Sequence, residues 1–193
     1  MIELAKDIPA ALYSGILGAL IALISVYLTN RSNTKRLKLQ FELERETKET
    51  EFMRDKLEEL YLLHEAWMNA LSTSYLPFLS VMQGDITYDQ ALDLFIENNK
   101  NRRDDFKRLQ MLVDLYFPEI KSAFSQLSVA RDRANKIKAE HKREYKRGNT
   151  NGFAYVGPFI EAQKKLESES LSMRDQIILR SSRHSKSPQR ITH

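Results

Sequence analysis

The chain has 193 residues, with 30 Lys and Arg against 26 Asp and Glu, a formal net charge of +4 and no cysteine. This length allows one ordinary domain, or a smaller domain joined to a membrane anchor. The absence of cysteine excludes a disulfide framework and any thiolate metal site, and it is compatible with a reducing cytoplasm. The mean hydropathy is negative, at −0.48, although apolar residues crowd together near the N-terminus.

The crowded apolar segment covers residues 8–28 and reads IPAALYSGILGALIALISVYL. Its only ionisable groups are the phenols of Tyr13 and Tyr27. At a rise of about 1.5 Å per residue, such a helix crosses a hydrocarbon core of about 30 Å. A cleaved signal peptide and a buried core helix fit less well, because the run is long and its N-terminal flank is not basic. We predict a transmembrane helix over residues 8–29, preceded by a short extracytoplasmic N-terminus, residues 1–7.

Basic residues follow the predicted span at Arg31, Lys35, Arg36 and Lys38. An excess of Lys and Arg beside a span marks the cytoplasmic side. We therefore expect a single-pass membrane protein, with its N-terminus outside and its C-terminus in the cytoplasm. The same four side chains are candidates for contact with anionic lipid headgroups, at about 1 kcal/mol per basic residue.

Small residues form a row within the predicted span, at Ser14, Gly18, Ala22 and Ser25. Small residues spaced by three and four let helix backbones approach closely in lipid. The row predicts self-association through this face. The alternative is that Gly and Ala are simply frequent in membrane helices.

A charged segment, residues 30–52, follows the span and lacks both Pro and Gly. Its residues are strong helix formers, so we predict a helical stalk that continues from the span. The sequence ELERETKETE within it cannot bury an apolar stripe and is typical of a solvated spacer.

Amphipathic patterns then predict a cytoplasmic helical bundle over residues 53–180. The fold class is all-α. The expected inward-facing positions on the first helix, a core face or a short coiled-coil seam, are Met53, Leu57, Leu60, His64, Trp67 and Leu71. Those on the later helices are Ala91, Leu92, Phe95, Phe106, Leu109, Val113, Tyr116, Ile120, Phe124, Leu127, Ala134, Ile137, Phe159, Leu166, Met173 and Ile177.

Breaks between these helices are predicted from turn-forming residues. Pro77 should interrupt the first pattern, Gly84 should mark a turn, and a capping box should begin the next helix at Thr87. The segment GNTNGFAYVG, residues 148–157, is predicted to be a long loop before a last helix that begins near Pro158. Residues 181–193 form a basic tail with nothing to bury, which we expect to be disordered.

No catalytic motif is present in the sequence. The six glycines form neither a dinucleotide-binding nor a P-loop pattern, and the four histidines form no zinc pair. We therefore predict a non-enzymatic protein without a cofactor or metal. His64 lies on an apolar face and is expected to be a core histidine with a local hydrogen-bond partner, a pH sensor or ligand being the alternative.

A basic segment covers residues 131–147, which contain eight Lys or Arg residues and three acidic residues. The candidate contact residues are Lys138, Lys142, Arg143, Lys146 and Arg147. Such a set is typical of nucleic-acid binding, with Tyr145 as a stacking residue. An acidic protein partner, lipid headgroups, or a solvated helix end are the alternatives.

The short anchor, the charged stalk and the segment MLVDLYFPEI at residues 111–120 resemble small single-span bacterial membrane proteins with a helical cytoplasmic region. Some of these are membrane effectors of anti-phage systems, such as those paired with retron reverse transcriptases. The resemblance implies an effector that a cytoplasmic protein partner keeps silent and that damages the membrane on release, as in abortive infection. A membrane-tethered nucleic-acid binder and a passive membrane scaffold are the alternatives.

Overall fold

Helix α1, Ala10–Gln83, is the longest element of the chain. The computed structural model describes residues 10–100 and 105–185. The later helices are α2 (Tyr88–Asn99), α3 (Asp105–Tyr116), α4 (Lys121–Lys146) and α5 (Phe153–Ser185), and a 3-10 turn at Pro118–Ile120 precedes α4. No strand occurs in these two described ranges, which confirms the all-α class. The predicted N-terminus, residues 8 and 9 of the predicted span and residues 186–193 of the predicted tail lie outside these ranges.

The predicted break at Pro77 is wrong, because α1 continues through this residue to Gln83. A proline inside a helix costs about 3 kcal/mol, since it removes one hydrogen bond and crowds the preceding turn. Here Pro77 is buried, and its neighbours Tyr75 and Phe78 are 1% and 4% exposed. Burial of these large side chains offsets the cost.

The turn after α1 contains the glycine and the helix cap that the sequence predicts. Gly84 adopts a φ of +83°, which favours glycine, and its N–H donates to the carbonyl of Val81 at 3.1 Å. The capping box at Thr87 is confirmed: Gln90 N–H donates to Thr87 Oγ1 at 3.3 Å, and Thr87 N–H donates to Gln90 Oε1 at 2.8 Å. Helix α2 therefore begins where the sequence indicates.

The chain divides into two units, Met1–Glu51 and Phe52–His193. In the first unit, every residue from 15 to 51 is exposed. The second unit contains the hydrophobic core, to which α1, α3, the 3-10 turn, α4 and α5 all contribute. A smaller cluster of Phe78, Val81 and Ala91 joins α2 to the end of α1.

Most predicted core positions are confirmed. The most enclosed, each at 0% exposed, include Leu60, Leu109, Leu127 and Phe159. Met53, Phe106, Tyr116 and Ile137 are half-buried at the edges of the main core, and Phe95 is half-buried against the smaller cluster. Leu92 is the exception, at 39% exposed, because α2 turns Ala91 and Phe95 toward α1 instead.

Half of the predicted long loop, residues 148–157, is helix. Helix α5 begins at Phe153, whose N–H donates to Asn151 Oδ1 at 3.1 Å, so Pro158 lies inside the helix. The side-chain oxygen of Asn151 satisfies a backbone donor that the first turn leaves free. At its other end α5 continues to Ser185, five residues into the segment expected to be disordered. Ile177, at 2% exposed, packs this last part of the helix on the core.

Candidate functional site

The apolar part of α1 is exposed along its whole described length. Its large side chains between Ile16 and Leu28 are 51–67% exposed, and no residue of the apolar window is buried. Of the described residues, this helix alone is long and apolar enough to cross a membrane. Exposed apolar surface on this scale is unfavourable in water, at about 25 cal/mol per Å². Lipid or another apolar surface would remove that penalty.

The small-residue row lies on this exposed helix. Gly18, Ala22 and Ser25 are all exposed. The helical spacing of three and four residues places them on one face of the helix together with Ser14. The side chain of Ser14 is not among those that the structure describes. A Cβ atom added at Gly18 would meet nothing within 4 Å. Nothing within the chain therefore requires a glycine at this position.

The four basic residues after the apolar segment are also exposed. Arg31, Lys35, Arg36 and Lys38 belong to the first unit and continue the same helix. The stretch that follows carries further exposed apolar side chains, with Leu37 at 52% and Phe41 at 67%. This part of α1 thus presents both cations and apolar groups to its surroundings.

The structure separates Lys138 from the rest of the basic helix. Its Nζ atom lies 4.7 Å from the ring centroid of Phe78, 5.5 Å from that of Tyr75 and 5.7 Å from that of Phe95. Burial among the rings, together with the positive charge of Lys142, lowers the pKa of Lys138. This side chain attaches α4 to aromatic groups of α1 and α2 through cation–π contacts.

The other four predicted contact residues remain together at the end of α4. Lys142, Arg143, Lys146 and Arg147 are all exposed. Two of them have partners within the chain, since Lys142 Nζ lies 5.5 Å from the Tyr88 ring and Arg147 forms an ion pair of 2.7 Å with Glu144. Tyr145 is half-buried, and its hydroxyl accepts from the N–H of Tyr88 at 3.4 Å, so it is held against α2. The ring of Tyr145 is therefore not free to stack on a base beside the exposed basic residues.

A buried polar pair was not predicted by the sequence. His64 is fully buried, as expected, but its Nε2 atom lies 3.1 Å from the hydroxyl of Ser170 on α5, a residue 106 positions away. Its Nδ1 atom lies 3.5 Å from Glu65 Oε1. Burial is the main cause that lowers the pKa of His64, and Arg174 adds to it while Glu65 opposes it. The imidazole is thus favoured in its neutral form.

The segment MLVDLYFPEI has a clear packing role. Leu112, Val113 and Phe117 are 0% exposed, and Ile120 is 1% exposed. The proline begins the 3-10 turn that leads into α4. The aromatic and proline pattern on which the resemblance rests is accounted for by the core and by this turn.

Metal-binding geometry is absent among the described residues, where no group of three His, Asp or Glu side chains could hold an ion. No protein-family model, curated protein or solved structure matches the chain.

Proposed function

We propose that this protein is a non-enzymatic, single-pass protein of the bacterial inner membrane, whose helical cytoplasmic domain binds a protein partner. The observation that carries the proposal is the apolar part of α1, which is exposed around its whole circumference. A helix that is apolar on all sides suits lipid, whereas a core helix of a soluble protein is mostly buried. Residues 8–29 would form the span.

The orientation follows from the charges beside the span. Arg31, Lys35, Arg36 and Lys38 lie on its C-terminal side and are exposed, as contact with anionic headgroups requires. The second unit would then lie in the cytoplasm. Such a placement suits a cysteine-free chain.

Membrane insertion is tested with a matched pair of substitutions, Leu20→Asp and Leu37→Asp. Both leucines are on α1 and similarly exposed, at 51% and 52%. An aspartate at the centre of a span costs about 3 kcal/mol, whereas one outside the bilayer costs little. We expect Leu20→Asp alone to reduce the fraction that resists alkaline carbonate extraction. Equal extraction of both variants and the original chain would exclude the span.

Orientation is tested with two reporters, each fused in turn to the C-terminus. Alkaline phosphatase, which needs an oxidising compartment, should be inactive at the C-terminus, while a fluorescent protein should be bright there. The opposite result would place the helical domain outside the cytoplasm. That result would not contradict the proposed span itself.

We further propose that the span self-associates through Ser14, Gly18, Ala22 and Ser25 and perturbs the membrane, as an anti-phage effector would. Support comes from the exposure of this face and from the open space around Gly18. Expression of the chain should depolarise cells that carry a voltage-sensitive dye, and Gly18→Leu should abolish the effect.

The self-association face has its own matched control. Ala22→Leu adds bulk on the proposed face, and Ala19→Leu adds the same bulk about 60° away around the helix. Both alanines are exposed. Depolarisation and cross-linking should fall more for Ala22→Leu. Loss of both signals with Ala19→Leu alone would assign the interface to the helix face that carries Ala19. Absence of depolarisation with every chain, with or without phage challenge, would favour a passive scaffold.

The second candidate function is membrane-tethered binding of nucleic acid. Lys142, Arg143, Lys146 and Arg147 favour it, because they are exposed together at the end of α4. Binding through phosphates should weaken steeply as salt rises. Replacing all four by Gln should remove binding and flatten the salt dependence. Binding that survives the fourfold change would eliminate this candidate.

A further inference from the structure

Helix α2 packs on the rest of the second unit through one side and leaves an apolar strip uncovered on another. Ala91 is buried against the end of α1, and Phe95 is half-buried beside it. The next residues along the chain, Leu92 and Ile96, are 39% and 54% exposed. Their spacing of four residues places them side by side on successive turns, and we call them the apolar strip. An exposed apolar surface that is bordered by charge is typical of a contact with another protein.

A row of acids borders the apolar strip. The acid row consists of Asp85, Asp89, Asp93 and Glu97, which are spaced by four residues and are all exposed. The segment 85–99 contains no basic residue. None of the ion pairs found among the described residues involves the acid row. Like charges spaced by four residues on a helix repel each other, so basic groups that cover the row would stabilise α2.

The end of α4 carries the opposite charge. Arg143 and Lys146 are exposed there, and they too take part in none of the ion pairs of the described residues. At the start of α5, after the short connection from α4, Phe153 is 78% exposed. We call these three residues the basic end. It offers cations and an apolar ring, which are the counterparts of the acid row and the apolar strip.

The two surfaces are neighbours within one copy of the chain. The N–H of Tyr88 donates to the Tyr145 hydroxyl at 3.4 Å, and Lys142 Nζ lies 5.5 Å from the centroid of the Tyr88 ring. These contacts hold the start of α2 against the end of α4, although no ion pair joins the acid row to Arg143 or Lys146. A surface that carries both halves of a contact side by side is self-complementary under a twofold rotation.

We propose that the helical domain binds a second copy of this chain about a twofold axis, with the acid row and apolar strip of each copy against the basic end of the other. Charge complementarity selects this occupant, because both partners of the contact are present on the same chain. Twofold symmetry makes each contact twice. The inference goes beyond the proposed association of the spans and does not rest on it, since both surfaces belong to the second unit.

The first test is cross-linking of the full chain in detergent micelles. The chain has no cysteine, so each copy can carry a single introduced thiol. Copies with different affinity tags are co-expressed, one with Asp93→Cys and one with Lys146→Cys, and a short bismaleimide joins thiols that lie close together. The matched control replaces Lys146→Cys by Arg54→Cys, an exposed basic position about 40 Å along α1 from the end of that helix. We expect about tenfold more mixed product for the first pair than for the control.

The second test reverses the charges of each surface. It uses the Gly18→Leu background, which weakens the proposed contact of the spans, and measures the association constant by sedimentation in detergent. Asp93→Lys with Glu97→Lys should weaken association by about tenfold, because attraction becomes repulsion. Arg143→Glu with Lys146→Glu should have the same effect. All four changes in one chain reverse both surfaces, so they should restore the association.

The apolar strip has a matched control on the same helix. Leu92→Ser should weaken association, whereas Leu94→Ser, which changes a leucine 44% exposed on the opposite side of α2, should not. Thermal melts by circular dichroism verify that each variant is folded. Equal amounts of mixed product for the cross-linking pair and its control, or failure of the fourfold reversal to restore association, would overturn the proposal. Absence of mixed product together with binding of duplex DNA would assign the basic end to nucleic acid instead.

Discussion

The hydroxyl of Ser170 lies 3.1 Å from Nε2 of His64, and this contact joins α5 to α1 across 106 positions of sequence. Both residues are buried, His64 at 0% and Ser170 at 8% exposed. In such a position the two polar atoms satisfy each other. Loss of either one leaves the other buried and unpaired.

Ser170→Ala should therefore destabilise the helical domain. We expect the free energy of unfolding to fall by about 1–3 kcal/mol, the usual cost of a buried polar group without a partner. The measurement is urea unfolding of the full chain in detergent, followed by circular dichroism. Ser168→Ala is the control, because Ser168 is exposed on the same helix and should change stability by less than about 0.5 kcal/mol. An equal effect of both substitutions would contradict the assigned role of the pair.

Acid should weaken the fold through two histidines. Burial lowers the pKa of His64, with Arg174 adding to the effect and Glu65 opposing it, and burial alone lowers the pKa of His141. The unfolded chain takes up these protons near a pKa of 6.5, whereas the folded chain resists them. The stabilisation is therefore complete above the unfolded pKa and is lost as the pH falls from there through the folded pKa.

The expected loss is at most about 1.4 kcal/mol per histidine for each pH unit within that window. Unfolding measured at about pH 7.5 and about pH 5.5 gives the difference for the original chain. His64→Gln and His141→Gln should each reduce this difference, and the double substitution should reduce it further. A difference that stays the same in the double variant would show that other groups cause the acid sensitivity.

Periodicity was sufficient to predict the apolar core. Leu57, Leu60 and Trp67 recur on one helix face, and all three are buried. Apolar side chains at helical spacing form a single apolar face, and that face is stable when it packs into the core. The predicted break at Pro77 rests on local preference alone and is wrong. The packing of the neighbouring Tyr75 and Phe78 depends on residues that are distant in sequence. A rule based on neighbouring residues alone does not include those contacts.

Polar contacts were harder to predict than the core. Ser170 looks like any other serine in its helix, and only the arrival of His64 from α1 gives it a role. The sequence groups Lys138 with the basic residues of α4, yet its position in the helical turn directs it toward the rings of Phe78 and Phe95. The available signal was its place one residue after Ile137, at the edge of the apolar face. An amphipathic lysine can occupy such an edge with its stem buried.

Lys138→Ala should destabilise the contact of α4 with α2 and the end of α1. The change removes both the buried stem and the charge that lies over three rings, and we expect a loss of about 1–2 kcal/mol. Lys136→Ala is the control, since Lys136 is exposed on the same helix and should have an effect of less than about 0.5 kcal/mol. Both are measured by the same urea unfolding. Similar stabilities for the two variants would mean that the ring contacts add nothing.

Gly152 should tolerate no side chain, because the backbone of α1 passes directly beside it. A Cβ atom at this position would lie 2.6 Å from Met82 Cα, 2.8 Å from the Met82 carbonyl oxygen and 2.7 Å from His141 Nε2. Two of these three atoms are backbone and cannot rotate away. Gly152→Ala should therefore force the start of α5 away from α1 and lower the free energy of unfolding by about 1–3 kcal/mol.

The control for this change is Thr150→Ala, an exposed position in the same connection, with an expected effect below about 0.5 kcal/mol. Thermal unfolding by circular dichroism compares the two variants with the original chain. The combination of Gly152→Ala with His141→Ala separates the backbone contact from the side-chain contact. If the clash is with the backbone of Met82, the double variant should recover none of the lost stability. Full recovery would assign the close approach to the imidazole instead.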